Sequence, residues 1–140
     1  MATPPTEPDL HVAVGLIRLD GCFLLASRDP QRVGGGTWEL PGGKLEAGES
    51  AGAALTRELA EELGITVTAA TPYPPYDHAG TYAVRLYPFL VTAYDGNPAG
   101  REGQSLRWVR GEELWAEAAD MPGANGPLLA HLAASGLHLE

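Results

Sequence analysis

Three glutamates, Glu58, Glu61 and Glu62, set the terms for the stretch from Gly43 to Ile65. On a helix they sit at i, i+3 and i+4 and share one face. Successive helical residues turn by about 100°, so Leu55, Leu59, Leu63 and Gly52 fall on a separate apolar face. That face can pack, while the acidic face is left pointing outward. Like charges at this spacing cost a helix roughly 0.2–0.5 kcal/mol per pair, a cost that a bound cation offsets. Carboxylate oxygens suit hard divalent ions, and Mg²⁺ in particular is held by a few carboxylates together with waters and substrate phosphates. The spacing predicts a magnesium site on a helix. The competing reading is a solvated acidic face in an acidic protein.

The surroundings favour the metal. From Gly43 onward the chain reads Gly-x5-Glu-x7-Arg-Glu-hydrophobic-x-Glu-Glu-x-Gly-hydrophobic, ending at Ile65. This pattern resembles the signature of the Nudix hydrolases, and every position is filled. Trp38-Glu39-Leu40-Pro41-Gly42-Gly43-Lys44 is similar to the lead-in of MutT-type members. So are residues 11–17 upstream, and Glu102-Gly103-Gln104 with Pro122-Gly123-Ala124-Asn125 downstream. The likeness spans nearly the whole chain, patchily outside the central box.

A chain of 140 residues has the size of one domain and can bury roughly two thirds of its unfolded surface. The formal charge of −9 argues against nucleic-acid polymers and anionic membranes as partners, since both need a basic footprint. It does not argue against nucleotides, because bound metal can supply the missing positive charge. Cys22 stands alone in an apolar run and reads as a buried, inert thiol. No apolar run reaches membrane-spanning length, and the start Met1 to Asp9 lacks the basic and apolar regions of a signal peptide. A cytoplasmic protein is expected, with monomer and homodimer both open.

Residues 1–9 are Pro-rich and polar, and are expected to be a disordered tail ahead of a single domain over 10–140. Leu10 to Leu19 and Cys22 to Arg28 read as strands joined at Asp20-Gly21, a dipeptide that favours a tight hairpin. Asp29 to Gly36 reads as a loop. Ser50 is the expected N-cap and Gly64 the expected stop of the acidic helix. Ile65 to Ala70 resumes strand character, and Thr71 to Asp77 should be irregular because three prolines remove ladder donors. Tyr82 to Tyr94 is a long strand pattern in which Pro88 suggests an edge or a bulge. A turn-rich loop over 95–103 precedes a short strand at Leu106 to Val109. Gly111 to Ala119 and Gly126 to Ala134 look helical. Strands mixed with a few helices fit one α/β (α+β) sandwich. The resemblance implies the Nudix fold, a mixed sheet between helices.

The resemblance also implies a chemistry, the attack of water on a phosphorus of a nucleoside diphosphate linked to another group. Such chemistry asks the protein for positioning and for neutralising charge on phosphate oxygens. Mg²⁺, with Mn²⁺ as a substitute, would neutralise that charge and lower the pKa of a bound water. By match to the motif, Glu61 and Glu62 are the main ligands and Glu58 is a ligand or the general base. The Gly42 carbonyl resembles a further ligand, at a residue where no Cβ keeps backbone from an ion. Glu49 and Arg57 should form a salt bridge that orients loop and acidic face, the alternative being a plain surface arginine.

Glu102 matches a late metal-contacting or base glutamate, against a solvated loop carboxylate. Arg28 resembles an arginine that meets substrate phosphates, against a strand-end charge. The Asn125 amide offers the acceptor and donors that reading a base edge requires, against an N-cap for the helix opening at Gly126-Pro127. Leu40, Val33 and Tyr82 stand where MutT-type enzymes carry aromatic and basic residues around the base. Tyr82 also resembles a marker of enzymes that cut dinucleoside polyphosphates, whereas Gly80 and Thr81 replace the proline of ADP-ribose pyrophosphatases. Trp38 reads as a core residue, and the four histidines show no metal-ligand spacing.

The expected protein is thus a Mg²⁺-dependent MutT-type enzyme that converts a nucleoside triphosphate such as 8-oxo-dGTP to monophosphate and pyrophosphate. A dinucleoside polyphosphate or CTP-type substrate is the alternative within the class. A catalytically silent nucleotide-sensing module is the alternative outside it.

Overall fold

A computed structural model describes residues 7–27, 37–80, 82–118, 121 and 123–135. Arg28, Val33, the expected loop over 29–36 and most of the expected N-terminal tail lie outside the described residues. In chain order the elements are β1 (Leu10–Leu19), β2 (Cys22–Ser27), β3 (Trp38–Glu39), β4 (Gly42–Lys44), α1 (Ala51–Leu63), β5 (Thr66–Pro72), β6 (Tyr76–Ala79), β7 (Ala83–Asp95), β8 (Leu106–Arg110), α2 (Gly111–Glu117) and α3 (Asn125–Ala134).

The strands join in one mixed sheet in which β1 and β7 run parallel and the other pairs antiparallel. Alternation along β1 and β2 sends Ala13, Ile17 and Leu24 to one face, against Ala54, Leu55, Leu59 and Leu63 of α1. Val14, Leu16, Phe23 and Leu25 go to the other, against Leu114 of α2 and Leu128, Leu129 and Leu132 of α3. The result is the expected sandwich. Leu59 is fully buried, and truncating such a leucine to alanine costs about 2–5 kcal/mol. That outweighs the few tenths lost to like charges on the opposite face, so packing decides that α1 forms. Gly52, expected on the apolar face, instead has open space beyond its Cα.

Helix α1 is bounded as its sequence predicts. The Ser50 hydroxyl accepts the Ala53 N–H at 3.1 Å, and Gly64 closes the helix at φ 71° with its N–H on the Ala60 carbonyl. Asp20 and Gly21 turn β1 into β2 with both φ positive, at 51° and 76°, the primed hairpin geometry.

Two expectations need correction. The segment from Thr71 to Asp77 is only partly irregular, since β5 continues to Pro72 and β6 begins at Tyr76. The two strands follow one another along the outer side of β7, where prolines can sit on an open edge without breaking a ladder. Pro88, in turn, lies in a central strand, between β1 and that edge. Its carbonyl accepts the Tyr73 N–H at 2.9 Å, so its missing N–H faces the gap between β5 and β6 and not β1. The irregularity belongs to the neighbour, not to the proline's own strand.

Next to their turn β1 and β2 pair through Arg18↔Phe23 and Leu19↔Cys22, and then they diverge. The strip from Trp38 to Lys44 fills the wedge. It pairs with β2 through Trp38 and Glu39, and with β1 through Gly42, Gly43 and Lys44.

Candidate active site

Each residue of the strip from Trp38 to Gly42 is tied to a different part of the fold. The Trp38 ring lies under the Arg107 guanidinium of β8, 4.8 Å from its centroid, and Arg107 is ion-paired with Glu117 of α2. Glu39 pairs with Ala26 of β2. The Leu40 N–H donates to Asn125 Oδ1 of α3 at 3.1 Å. The Pro41 carbonyl accepts from Gly15 of β1 at 2.8 Å, and the Gly42 N–H donates to Glu62 of α1 at 3.3 Å. Gly42 has φ 156°, and a Cβ there would lie 2.0 Å from the Ala13 carbonyl oxygen. Close strand approach therefore requires this glycine, and its amide faces Glu62. Gly43 differs, because a Cβ there would meet only the end of the Glu58 side chain, 2.2 Å from its carboxyl carbon, and would displace that carboxylate.

Arg57 gathers the near half of the acidic face. Its Nε and Nη2 donate to the two Glu49 oxygens at 2.8 and 2.9 Å, a bidentate pair. Its Nη1 reaches Glu58 at 2.9 Å and Glu61 at 3.4 Å, and Nη2 also donates to the Lys44 carbonyl at 3.0 Å. Hydrogen bonds from Arg57, followed by the Glu46 amide, hold the Glu49 carboxyl down to about 2. The same bonds to Glu49 and Glu58 raise the Arg57 pKa. The expected orienting salt bridge is present, and it ties the β4–α1 loop to the helix.

Glu62 marks the far half. Burial, followed by the charge of Glu58, pushes its carboxyl up to about 8, with Glu102 and Glu39 adding to the rise and the Gly42 N–H opposing it. Among the described residues the charges that weigh most on it are all negative. Glu102 comes near because its loop docks on the end of α1, where Ala99 and Arg101 donate to the Leu63 and Glu62 carbonyls at 3.0 and 2.9 Å.

The three helix glutamates do not converge on one point. Glu61 is 57% exposed and turned to Arg57, and among the described residues no group of three acidic, His or Cys side chains is gathered for a metal. The chemistry of the donors still fits a hard divalent cation. A carboxyl buried among like charges gains most from one, and its neighbours offer only oxygen.

Asn125 is the first residue of α3 and not its cap, which is Ala124 without a side-chain bond. Its amide is committed to Leu40, across 85 residues of chain, so the capping alternative fails. Tyr82 lies beside the β6–β7 turn with 63% of its surface exposed. Trp38 packs against the larger core cluster as expected. Two participants were missed by sequence reasoning. Glu39 could have been found from strand alternation, which turns it away from Trp38 and Leu40 toward the side of α1. Arg101 carried no signal, because only the docked loop puts it near the helix.

The chain belongs to the Nudix family, whose domain model matches residues 9–132. Within it, this is a Nudix hydrolase of MutT type. It is 37% identical over 125 residues to an 8-oxo-dGTP diphosphatase of Haemophilus influenzae, covering 88% of this chain and 90% of that protein. A CTP pyrophosphohydrolase of Escherichia coli is 36% identical over 105 residues, covering 74% and 78%. A MutT structure from work on Aliivibrio salmonicida and Vibrio cholerae superposes with a TM-score of 0.71 at 38% identity, covering 90% of this chain and 98% of that one. Nudix hydrolases generally need a divalent metal. Among the described residues no helix is long and apolar enough to cross a membrane.

Proposed function

We propose that this protein is a cytoplasmic, Mg²⁺-dependent pyrophosphohydrolase that cuts a nucleoside triphosphate to monophosphate and pyrophosphate, with an oxidised guanine nucleotide such as 8-oxo-dGTP as substrate. The observation that carries the reading is the Asn125–Leu40 hydrogen bond. It sets an amide and a backbone N–H side by side, two residues along the strip from Gly42 and Glu62. A purine edge that offers both an acceptor and donors can exchange with this pair, while the phosphates extend toward the carboxylates.

Glu62 and Glu58, with the Gly42 carbonyl and Glu61, are the groups to hold the cation, and Mn²⁺ suits the same oxygen donors. The cation supplies neutralisation of phosphate charge and a more acidic water. Glu58 is held between Arg57 and Gly43, with one carboxylate oxygen already accepting from the guanidinium. Glu102, exposed on its loop with its carboxylate not engaged by Arg57, is assigned to accept the proton of the attacking water. Arg28 is assigned to the phosphates and Tyr82 to the outer rim of the site. Monomer and homodimer both suit this arrangement.

The similarity to a CTP pyrophosphohydrolase supports a second reading, a pyrimidine triphosphate. Asn125→Ala separates the two. Losing a base-reading hydrogen bond costs roughly 1–3 kcal/mol, about ten- to a hundredfold in kcat/KM. The loss should fall on 8-oxo-dGTP and dGTP and spare CTP. An unchanged ratio among the three nucleotides ends the purine reading. No pyrophosphate release with Mg²⁺ from any of them would leave the silent sensor.

A further inference from the structure

Helix α1 has no basic residue in its last turn, although the carbonyls there carry the negative end of the helix dipole. The charge comes from the loop between β7 and β8. The Arg101 side chain lies along Gly64, so close that a Cβ on Gly64 would stand 2.6 Å from Nε and 3.0 Å from Cζ. On either side of this contact the loop backbone bonds to the helix end, Ala99 to Leu63 and Arg101 to Glu62. The next residue is Glu102, whose backbone N–H is held by the Gln104 side chain at 2.8 Å. Its charge reaches Glu62. Among the described residues Arg101 has no recorded ion pair with a carboxylate, so its contact is with the bare helix end that glycine leaves open.

We propose that Arg101 is a positioning residue that seats the loop on the open Gly64 face and thereby holds Glu102 beside Glu62. This rests on the reading of Glu102 as a working carboxylate. The guanidinium does no chemistry itself. Its charge and its flat contact with Gly64 keep the two backbone bonds closed, and those bonds fix where residue 102 stands.

The test is a double-mutant cycle with 8-oxo-dGTP and Mg²⁺, joined to amide hydrogen exchange on the metal-free protein. Arg101→Ala should lower kcat about tenfold with KM changed less than about twofold, and Arg101→Lys should restore most of the loss. In a Glu102→Gln background, Arg101→Ala should have no further effect. The loop amides of residues 99 and 101 should exchange about tenfold faster in Arg101→Ala, with the amides of α1 unchanged. Effects that add in the double variant, or unchanged exchange at 99 and 101, overturn the proposal. If Glu102→Gln keeps the full rate, the assignment of Glu102 fails first and takes this role with it. A slow Glu102→Gln beside a fully active Arg101→Ala defeats the positioning role alone.

Discussion

The two halves of the acidic face on α1 hold similar charge and resolve it in opposite ways. At one end Arg57 satisfies Glu49 and Glu58 and reaches Glu61, so the protein brings its own cation. At the other end Glu62 is half-buried beside Glu58, Glu102 and Glu39, and among the described residues no cation is a leading influence on it. The half around Arg57 has its charge balanced as soon as the chain folds, before Glu58 and Glu61 turn any oxygen to a bound ion. The unneutralised half is finished only by what binds to it. A carboxylate cluster becomes a candidate site where the chain withholds its own counter-charge, and the same motif supplies both situations within one helix.

The largest effect should come from the half that lacks a cation. Glu62→Gln should lower turnover of nucleoside triphosphate by about a thousandfold, because a neutral amide is a poor ligand for a hard ion. The metal-free variant should melt no lower than wild type, since a carboxyl under repulsion is removed. Pyrophosphate release and a melting curve in chelator check both halves of this statement. Near-normal turnover would mean that the two ends are not different in kind.

A smaller effect is expected where the cation is built in. Arg57→Lys keeps the charge but cannot bond Glu49, Glu58 and the Lys44 carbonyl together. Turnover should fall about ten- to a hundredfold, with a lower melting temperature and a Mg²⁺ requirement little changed. If Arg57→Lys mainly raises the Mg²⁺ concentration needed, then Arg57 is part of the metal site and the division fails.

The smallest effect is in pH dependence, and here the two ends should move oppositely. Glu62 titrates near 8 when folded and near 4.5 when unfolded, so its contribution to stability is whole below 4.5 and is lost as pH rises through 8. Glu49 titrates near 2 when folded, so its contribution is present above 4.5 and is lost as pH falls toward 2. Urea midpoints of the metal-free protein should therefore decline toward about pH 9, and Glu62→Gln should flatten that decline. Glu49→Gln should flatten only the acid limb. A midpoint that rises toward alkaline pH in the metal-free wild type would contradict the repulsion at Glu62.

Most of the fold was legible because local signals agreed. The 3.6-residue spacing of Leu55, Leu59 and Leu63, the Ser50 cap and the Gly64 stop all named one helix with the observed ends. Asp20-Gly21 named its turn. The strand reading failed at prolines, since a proline removes one donor and the sequence does not say which neighbour that donor would have faced. At Pro88 it faces the gap between β5 and β6, and a central strand tolerates it.

In the site, the Arg57–Glu49 pair could be read from the motif. The reach of Asn125 to Leu40, the charge of Glu39 at Glu62 and the seat of Arg101 on Gly64 depend on segments far apart in sequence. No local pattern encodes them.

The strip that fills the wedge between β1 and β2 has a consequence for how this protein can change over generations. At Leu40, Pro41 and Gly42 the anchoring atoms belong to the backbone. Exchanging the side chain of Leu40 or Pro41 leaves those attachments in place, so a codon change there that still packs against the core keeps the site assembled. Losing one codon between Trp38 and Gly42 is another matter. It shifts every later attachment by one position and turns each following side chain to the opposite face. The strip thus has little latitude in length and none at Gly42, and its room for change of side chain lies at Leu40 and Pro41.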